Sequence, residues 1–188
     1  VRARKRSGEP LLDLTPLLTA VFFEAHVAKK RIITLEHLEA AARRLRGSEG
    51  ALQVLKERVE HDRMPLLSLV QARPLQVQAA HLSFQEFFAA RAICDGEKLP
   101  TPPWQLDVWW ANAVRLGVEM GDAFGRGLLR ARGASGIKAS ETRLQVVAAG
   151  EPSTAAAALG AATKALPKLS ELKIRNAMVG RQALTLRA

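Results

Sequence analysis

A predicted strand that runs directly into an aromatic-rich helix is the feature that most restricts how this chain folds. Residues 75–79 alternate apolar and polar side chains, which predicts a half-buried strand. Ser83 and Glu86 have the spacing of a capping box, in which the two side chains bind backbone N–H groups at a helix start. Leu82 and Phe87 have the spacing of the hydrophobic staple that accompanies such a start. The sequence therefore predicts a helix that is capped by Ser83.

Three of the six phenylalanines of the chain lie in the first turns of this helix. Phe84, Phe87 and Phe88 are spaced so that they fall on one helical face, and so much aromatic area favours burial against a core. His81 comes just before the predicted cap, where a side chain can point away from the strand–helix joint. On position alone, such a histidine is typical of a structural residue that hydrogen-bonds the backbone.

The run from Ser83 to Ala90, Ser-Phe-Gln-Glu-Phe-Phe-Ala-Ala, resembles the signature that closes the winged-helix domain of NACHT-type signalling NTPases, the group that includes the NOD-like receptors. His81 is in register with the histidine of that signature, whereas Ala79 stands where the signature has an aromatic residue. The resemblance covers roughly residues 11 to 131.

The resemblance implies a regulatory role without catalysis in this segment. His81 is expected to contact the β-phosphate of ADP, and the ADP or ATP is expected to be held mainly by an ATPase domain upstream in the same protein. Leu82, Ser83, Phe84, Glu86, Phe87 and Phe88 are expected to form the structural cap and core of the motif. Nucleotide exchange would release the winged helix and permit homo-oligomerisation, and the location would be cytoplasmic.

The chain from residue 11 to residue 94 has the element order of a winged-helix domain. Three helices are predicted, with N-caps at Thr15, Thr34 and Ser48, and the first carries apolar residues at helical spacing from Leu14 to Ala25. Two strands follow at 66–70 and 75–79, with Arg73-Pro74 near the turn. Residues 1–10 are basic and read as a linker. The predicted fold class is mainly α with a small β-hairpin.

Residues 95–131 are predicted to form a proline-rich linker and then a helix whose apolar residues run from Trp109 to Phe124. Gly117, Gly121, Gly125 and Gly127 weaken this helix, which indicates either close packing of a neighbour or a break near Gly121. Trp104, Trp109 and Trp110 favour a core role over a partner-binding patch.

Residues 132–188 contain a short internal repeat. The pattern Leu144-x-Val146-x-x-Ala149 recurs as Leu172-x-Ile174-x-x-Ala177, and residues 154–166 between the copies are alanine-rich and predicted to be helical. A period of this length is typical of leucine-rich repeats, so the segment is predicted to be a partial α/β repeat that binds other proteins. An ordinary helix–strand pair remains the alternative.

The formal net charge of +10 raises the alternative of a DNA-binding winged-helix regulator. The charge is unevenly placed, because residues 11–100 carry 12 basic and 11 acidic residues. The third helix, which would read DNA, holds four acidic residues and only two basic ones between 49 and 62. Nucleic acid is therefore disfavoured, and a plain protein-interaction scaffold is the other alternative.

No catalytic motif is recognisable in the 188 residues. The segment Gly133 to Lys138 lacks the spacing of a phosphate-binding loop, so this chain is predicted not to be an enzyme. Its four histidines and Cys94 lack metal-binding spacing, and Cys94 favours an inert thiol. Neither a signal peptide nor a membrane-spanning run is recognisable, which favours an internal piece of a cytoplasmic protein.

Overall fold

The computed structural model describes residues 12–45, 47–131, 143–148, 151–166, 171–176 and 183–187. The chain forms two compact units, and the division between them falls between Ala89 and Ala90. It is mainly helical, with a small three-stranded antiparallel sheet in the first unit. The predicted basic linker at 1–10 and the loop that contains Gly133 and Lys138 lie outside the described residues.

The first unit combines four helices with the small sheet. Its elements are α1 (Thr15–Val27), β1 (Ile32–Thr34), α2 (Leu35–Arg44), α3 (Glu49–Glu60), β2 (Leu67–Gln71), β3 (Gln76–Ala79) and the start of α4 (Leu82–Asp95). The predicted hairpin is confirmed, because β2 and β3 pair antiparallel. The short β1 pairs with the other side of β3, so the strand order is β1-β3-β2.

The core of the first unit is built around α1. Its predicted apolar positions are all buried, and they pack with apolar residues of α2, α3 and the sheet. Ile33 of β1 and Val77 of β3 are opposite each other in the ladder and both are fully buried. Burial of this continuous apolar face provides the main driving force for folding of the unit.

The starts of α1, α2 and α3 agree with the sequence to within one residue. Thr34 and Ser48 occupy the N-cap positions of α2 and α3 as predicted, and α1 begins at Thr15, one residue earlier than predicted. Ser48 uses its hydroxyl differently from a typical cap, since it donates to the carbonyl of Ala42 at 2.6 Å. The hydroxyl thereby ties the start of α3 to α2.

The second unit consists of helices followed by a second small sheet. After two short 3₁₀ turns at Pro103–Gln105 and Val108–Trp110 come α5 (Ala111–Glu119), α6 (Asp122–Ala131), β4 (Arg143–Ala148), α7 (Pro152–Lys164), β5 (Glu171–Asn176) and β6 (Ala183–Arg187). The core interpretation of the tryptophans is confirmed for Trp104 and Trp110, which are buried, whereas Trp109 is half-buried.

The glycines of the second unit include both a helix break and positions of close packing, the two roles that the sequence suggested. Gly121 separates α5 from α6 and has a φ of +68°, which a residue without a Cβ adopts at little cost. Gly125 and Gly127 lie where α6 meets other backbone: a Cβ added at Gly125 would lie 2.3 Å from the carbonyl oxygen of Ala161 in α7. The single predicted helix is therefore two helices, and the second packs closely against its neighbours.

The internal repeat coincides with a strand pairing. β4 and β5 are parallel, with Leu144 opposite Leu172 and Val146 opposite Ile174, so the paired residues are 28 positions apart as in the repeat. α7 connects the two strands. β6 pairs antiparallel with β5, which differs from the all-parallel strands of a repeat solenoid.

The start of α7 allows a prediction about pH. Glu151 occupies its N-cap, and its carboxylate accepts hydrogen bonds of 2.7 Å from the hydroxyls of Ser153 and Thr154 and from the Thr154 backbone N–H. These bonds stabilise the ionised form and lower the pKa of Glu151 from 4.5 to about 2. The stabilisation is thus present above pH 4.5 and is lost as the pH falls through about 2.

We expect the carboxyl carbon of Glu151 to titrate near pH 2 in an NMR experiment. The Glu151→Gln variant keeps an acceptor oxygen but removes the charge, and its stability should depend less on pH in this range. A titration of Glu151 near pH 4.5 would contradict the capping geometry.

Candidate functional site

The candidate site is the start of α4, where His81 lies. The helix begins at Leu82, and the backbone N–H of Phe84 donates to the carbonyl of His81 at 3.0 Å. A residue whose carbonyl accepts the first hydrogen bond of a helix occupies the N-cap position. His81, and not Ser83, therefore occupies the N-cap of α4, and its side chain is exposed.

The earlier helix start changes the roles assigned to its neighbours. Ser83 lies inside the first turn and is exposed, so Ser83 and Glu86 do not have the capping-box positions predicted for them. Because Leu82 is the first residue of the helix, Leu82 and Phe87 do not occupy the positions of a hydrophobic staple. Glu86 is nine-tenths buried, with 8% of its surface exposed.

The three phenylalanines of α4 do not form the single buried face that the sequence predicted. Phe88 is buried and stacks on Phe22 of α1, with ring centroids 5.2 Å apart. Phe84 is half-buried, and Phe87 is 42% exposed. The reason is the helix period: Phe87 lies four residues from both Ser83 and Arg91, and these three residues and Asp95 form the exposed stripe of α4.

Gln85 is a component of the site that the sequence analysis missed. Its side chain is fully buried, and its amide nitrogen donates to the backbone carbonyl of Lys30 at 3.0 Å. The bond attaches the first turn of α4 to the loop between α1 and β1. Gln85 precedes the buried residues Phe88 and Ala89 by three and four positions. This helical spacing was the signal in the sequence that Gln85 faces the core.

The environment of His81 suits an anionic ligand. The ring packs edge-on against Phe84, with centroids 5.7 Å apart, and the residue is exposed. Backbone N–H groups at the start of a helix carry a partial positive charge, which favours phosphate or carboxylate groups. An imidazole N–H at this position can donate to a phosphate oxygen.

No family model, curated protein or solved structure matches this chain.

The other candidate residues do not form a second site in the described part of the chain. Among the described residues, no group of three or more His, Cys, Asp or Glu side chains converges in a way that could hold a metal ion. Burial raises the pKa of the Cys94 thiol, which agrees with the prediction of an inert thiol. Within the described ranges, none of the helices is both long enough and apolar enough to cross a membrane.

The exposed surface of α3 does not favour DNA. Glu57 and Glu60 are exposed, and Gln53, which lies one turn before Glu57, donates to its carboxylate at 3.0 Å. A helix that carries carboxylates on its solvent face repels the phosphate backbone.

Proposed function

We propose that this chain is the regulatory region of a NACHT-type signalling protein. Its first unit acts as a winged helix that senses ADP or ATP bound on an upstream ATPase domain, and His81 contacts the β-phosphate. Loss of this contact on nucleotide exchange releases the winged helix and permits oligomerisation in the cytoplasm. The C-terminal strands and α7 bind other proteins.

The observation that carries the proposal is the exposed His81 at the N-cap of a 14-residue helix. The imidazole and the backbone N–H groups of the first turn belong to the same helix start, and a phosphate bound there is within the chemistry of both. The residues 81 and 83–90 that resemble the family signature are the residues that build this helix start.

The order of the elements in the first unit also supports the proposal. A helix, a short strand, two helices and a hairpin follow each other, and the first strand pairs with the last one. Three helices followed by a hairpin are what we expect of the proposed winged helix. In the second unit, the parallel pairing of β4 with β5 at the repeat distance supports a repeat-like interaction surface.

The proposal predicts that His81→Ala weakens the retention of ADP. The experiment uses the longer protein in which this chain follows its ATPase domain, and it measures the release of bound ADP. A hydrogen bond to a charged group contributes about 1.5–3 kcal/mol, so we expect release to become roughly tenfold faster or more. The oligomeric fraction in the presence of ADP should rise in parallel.

His61→Ala is the matched control, because His61 is also exposed but lies at the C-cap of α3. If both variants release ADP at the rate of the unmodified protein, the role of His81 is contradicted. Undisturbed partner binding in that case would favour the plain interaction scaffold.

A further inference from the structure

The loop between α1 and β1 carries three consecutive cations close to the candidate site. Lys29, Lys30 and Arg31, which we call the basic loop, are all exposed. β1 and β3 pair antiparallel with Ile32 opposite Gln78. Arg31 directly precedes this pair on β1, and His81 follows it by three residues on the β3 side. The carbonyl of Lys30 lies within hydrogen-bond distance of Gln85 in the first turn of α4, so the loop backbone lies next to the start of that helix.

Hydrogen bonds fix the basic loop in this position from both sides. The backbone N–H of Lys30 donates to the carbonyl of Ala25 at 2.9 Å, which closes the end of α1. The carbonyl of Lys30 accepts from the buried amide of Gln85 at 3.0 Å. Gln85 lies in the first turn of α4, which begins directly after His81. The loop backbone is therefore held at the start of α4, close to His81 in the chain.

We propose that the basic loop is the second half of the phosphate-binding surface, and that Gln85 is the positioning residue that holds it there. The inference rests on the proposed function and extends it from one phosphate to two. His81 and the helix start bind one phosphate group, and Lys30 and Arg31 bind the adjacent one. The surface is thus suited to the pyrophosphate group of a nucleoside diphosphate, and a monophosphate uses only half of it.

The acidic groups on the neighbouring elements offset only part of the positive charge of Lys30 and Arg31. Glu24 of α1 forms an ion pair with Arg44 of α2. Glu86 of α4 is nine-tenths buried. Glu36 of α2 is exposed and lies two residues beyond β1. The charges of Lys30 and Arg31 and the positive end of α4 outweigh this carboxylate.

The experiment is a titration of the 188-residue chain with pyrophosphate, followed by backbone amide NMR shifts. ADP is the second probe, and orthophosphate and adenosine are the controls. Pyrophosphate and ADP are expected to shift the amides of His81, Lys30 and Arg31 together, whereas adenosine leaves them unchanged. Orthophosphate should bind about five- to tenfold more weakly than pyrophosphate, because it meets only one half of the surface.

Two variants test the loop and its support. The surface variant Lys30→Gln/Arg31→Gln should lower the affinity for pyrophosphate about five- to tenfold, and it should reduce the dependence of the affinity on salt. Gln85→Leu keeps the cations but removes the amide. It should lower the affinity for pyrophosphate and the salt dependence of that affinity, while the ring of His81 still responds to pyrophosphate. The control Arg63→Gln/Arg73→Gln removes the same charge from exposed positions outside the basic loop and should change neither the affinity nor the salt dependence by a comparable amount.

The outcomes separate this inference from the proposed function. If pyrophosphate shifts His81 but its affinity is the same in the loop variant and the control, the inference is overturned and the proposed function stands. If neither His81 nor the loop responds to pyrophosphate or ADP, both are overturned. A joint response that is lost in the loop variant supports both.

Discussion

Replacement of Gly127 by alanine is expected to destabilise the second unit by about 3 kcal/mol or more, in spite of the higher helix propensity of alanine. The added Cβ would lie 2.0 Å from the carbonyl oxygen of Ile93 and 2.7 Å from its carbonyl carbon. Both atoms belong to the backbone of α4, so a change of side-chain rotamer cannot remove the clash. One turn later, Arg130 donates to the carbonyl of Cys94 at 2.6 Å, and a displacement of α6 would also break this bond.

Chemical denaturation followed by tryptophan fluorescence measures the effect, because Trp104 and Trp110 are buried in this unit. Gly160→Ala is the matched control: it lies in α7, and a Cβ there meets no atom within 4 Å. This control should gain about 0.5–1 kcal/mol from helix propensity. Equal behaviour of the two variants would show that α6 does not approach the backbone of α4 closely.

Phe88→Ala is expected to destabilise the first unit by about 3–5 kcal/mol, the usual cost of removing a buried aromatic ring. Phe88 is only 8% exposed and belongs to the core around α1, where its ring stacks on Phe22. The substitution removes this contact and leaves a cavity that the surrounding helices fill only in part.

Phe87→Ala provides the comparison, since the two residues are adjacent and chemically identical. Phe87 is 42% exposed, so its loss should cost about 1 kcal/mol or less. Urea denaturation of both variants measures the two changes in the free energy of unfolding. Similar losses of stability would restore the single buried aromatic face that the sequence predicted and contradict the exposed stripe of α4.

The sequence predicted those parts of the fold in which local pattern and tertiary packing agree. The apolar spacing of α1 and the turn signals around β2 and β3 gave the correct elements, because burial and propensity favour the same structure there. The repeat spacing of Leu144 and Leu172 also corresponds to an observed strand pairing.

The remaining features depend on contacts between distant segments. Ser83 has the chemistry of a cap, but the helix extends back to Leu82, so the cap position passes to His81. The roles of Gln85 and Gly127 depend on the backbone of Lys30 and Ile93, 55 and 34 positions away. Local sequence patterns carry no information about such partners.

The most direct test of the central claim is an observation of the His81 ring in the longer protein with bound ADP. Nitrogen-15 NMR of the histidine rings distinguishes a nitrogen that donates to a phosphate from one that faces water. We expect ADP to shift one ring nitrogen of His81 and to protect its proton from exchange, while the exposed His61 stays unchanged. His81 signals that remain the same with and without ADP, like those of His61, would contradict it.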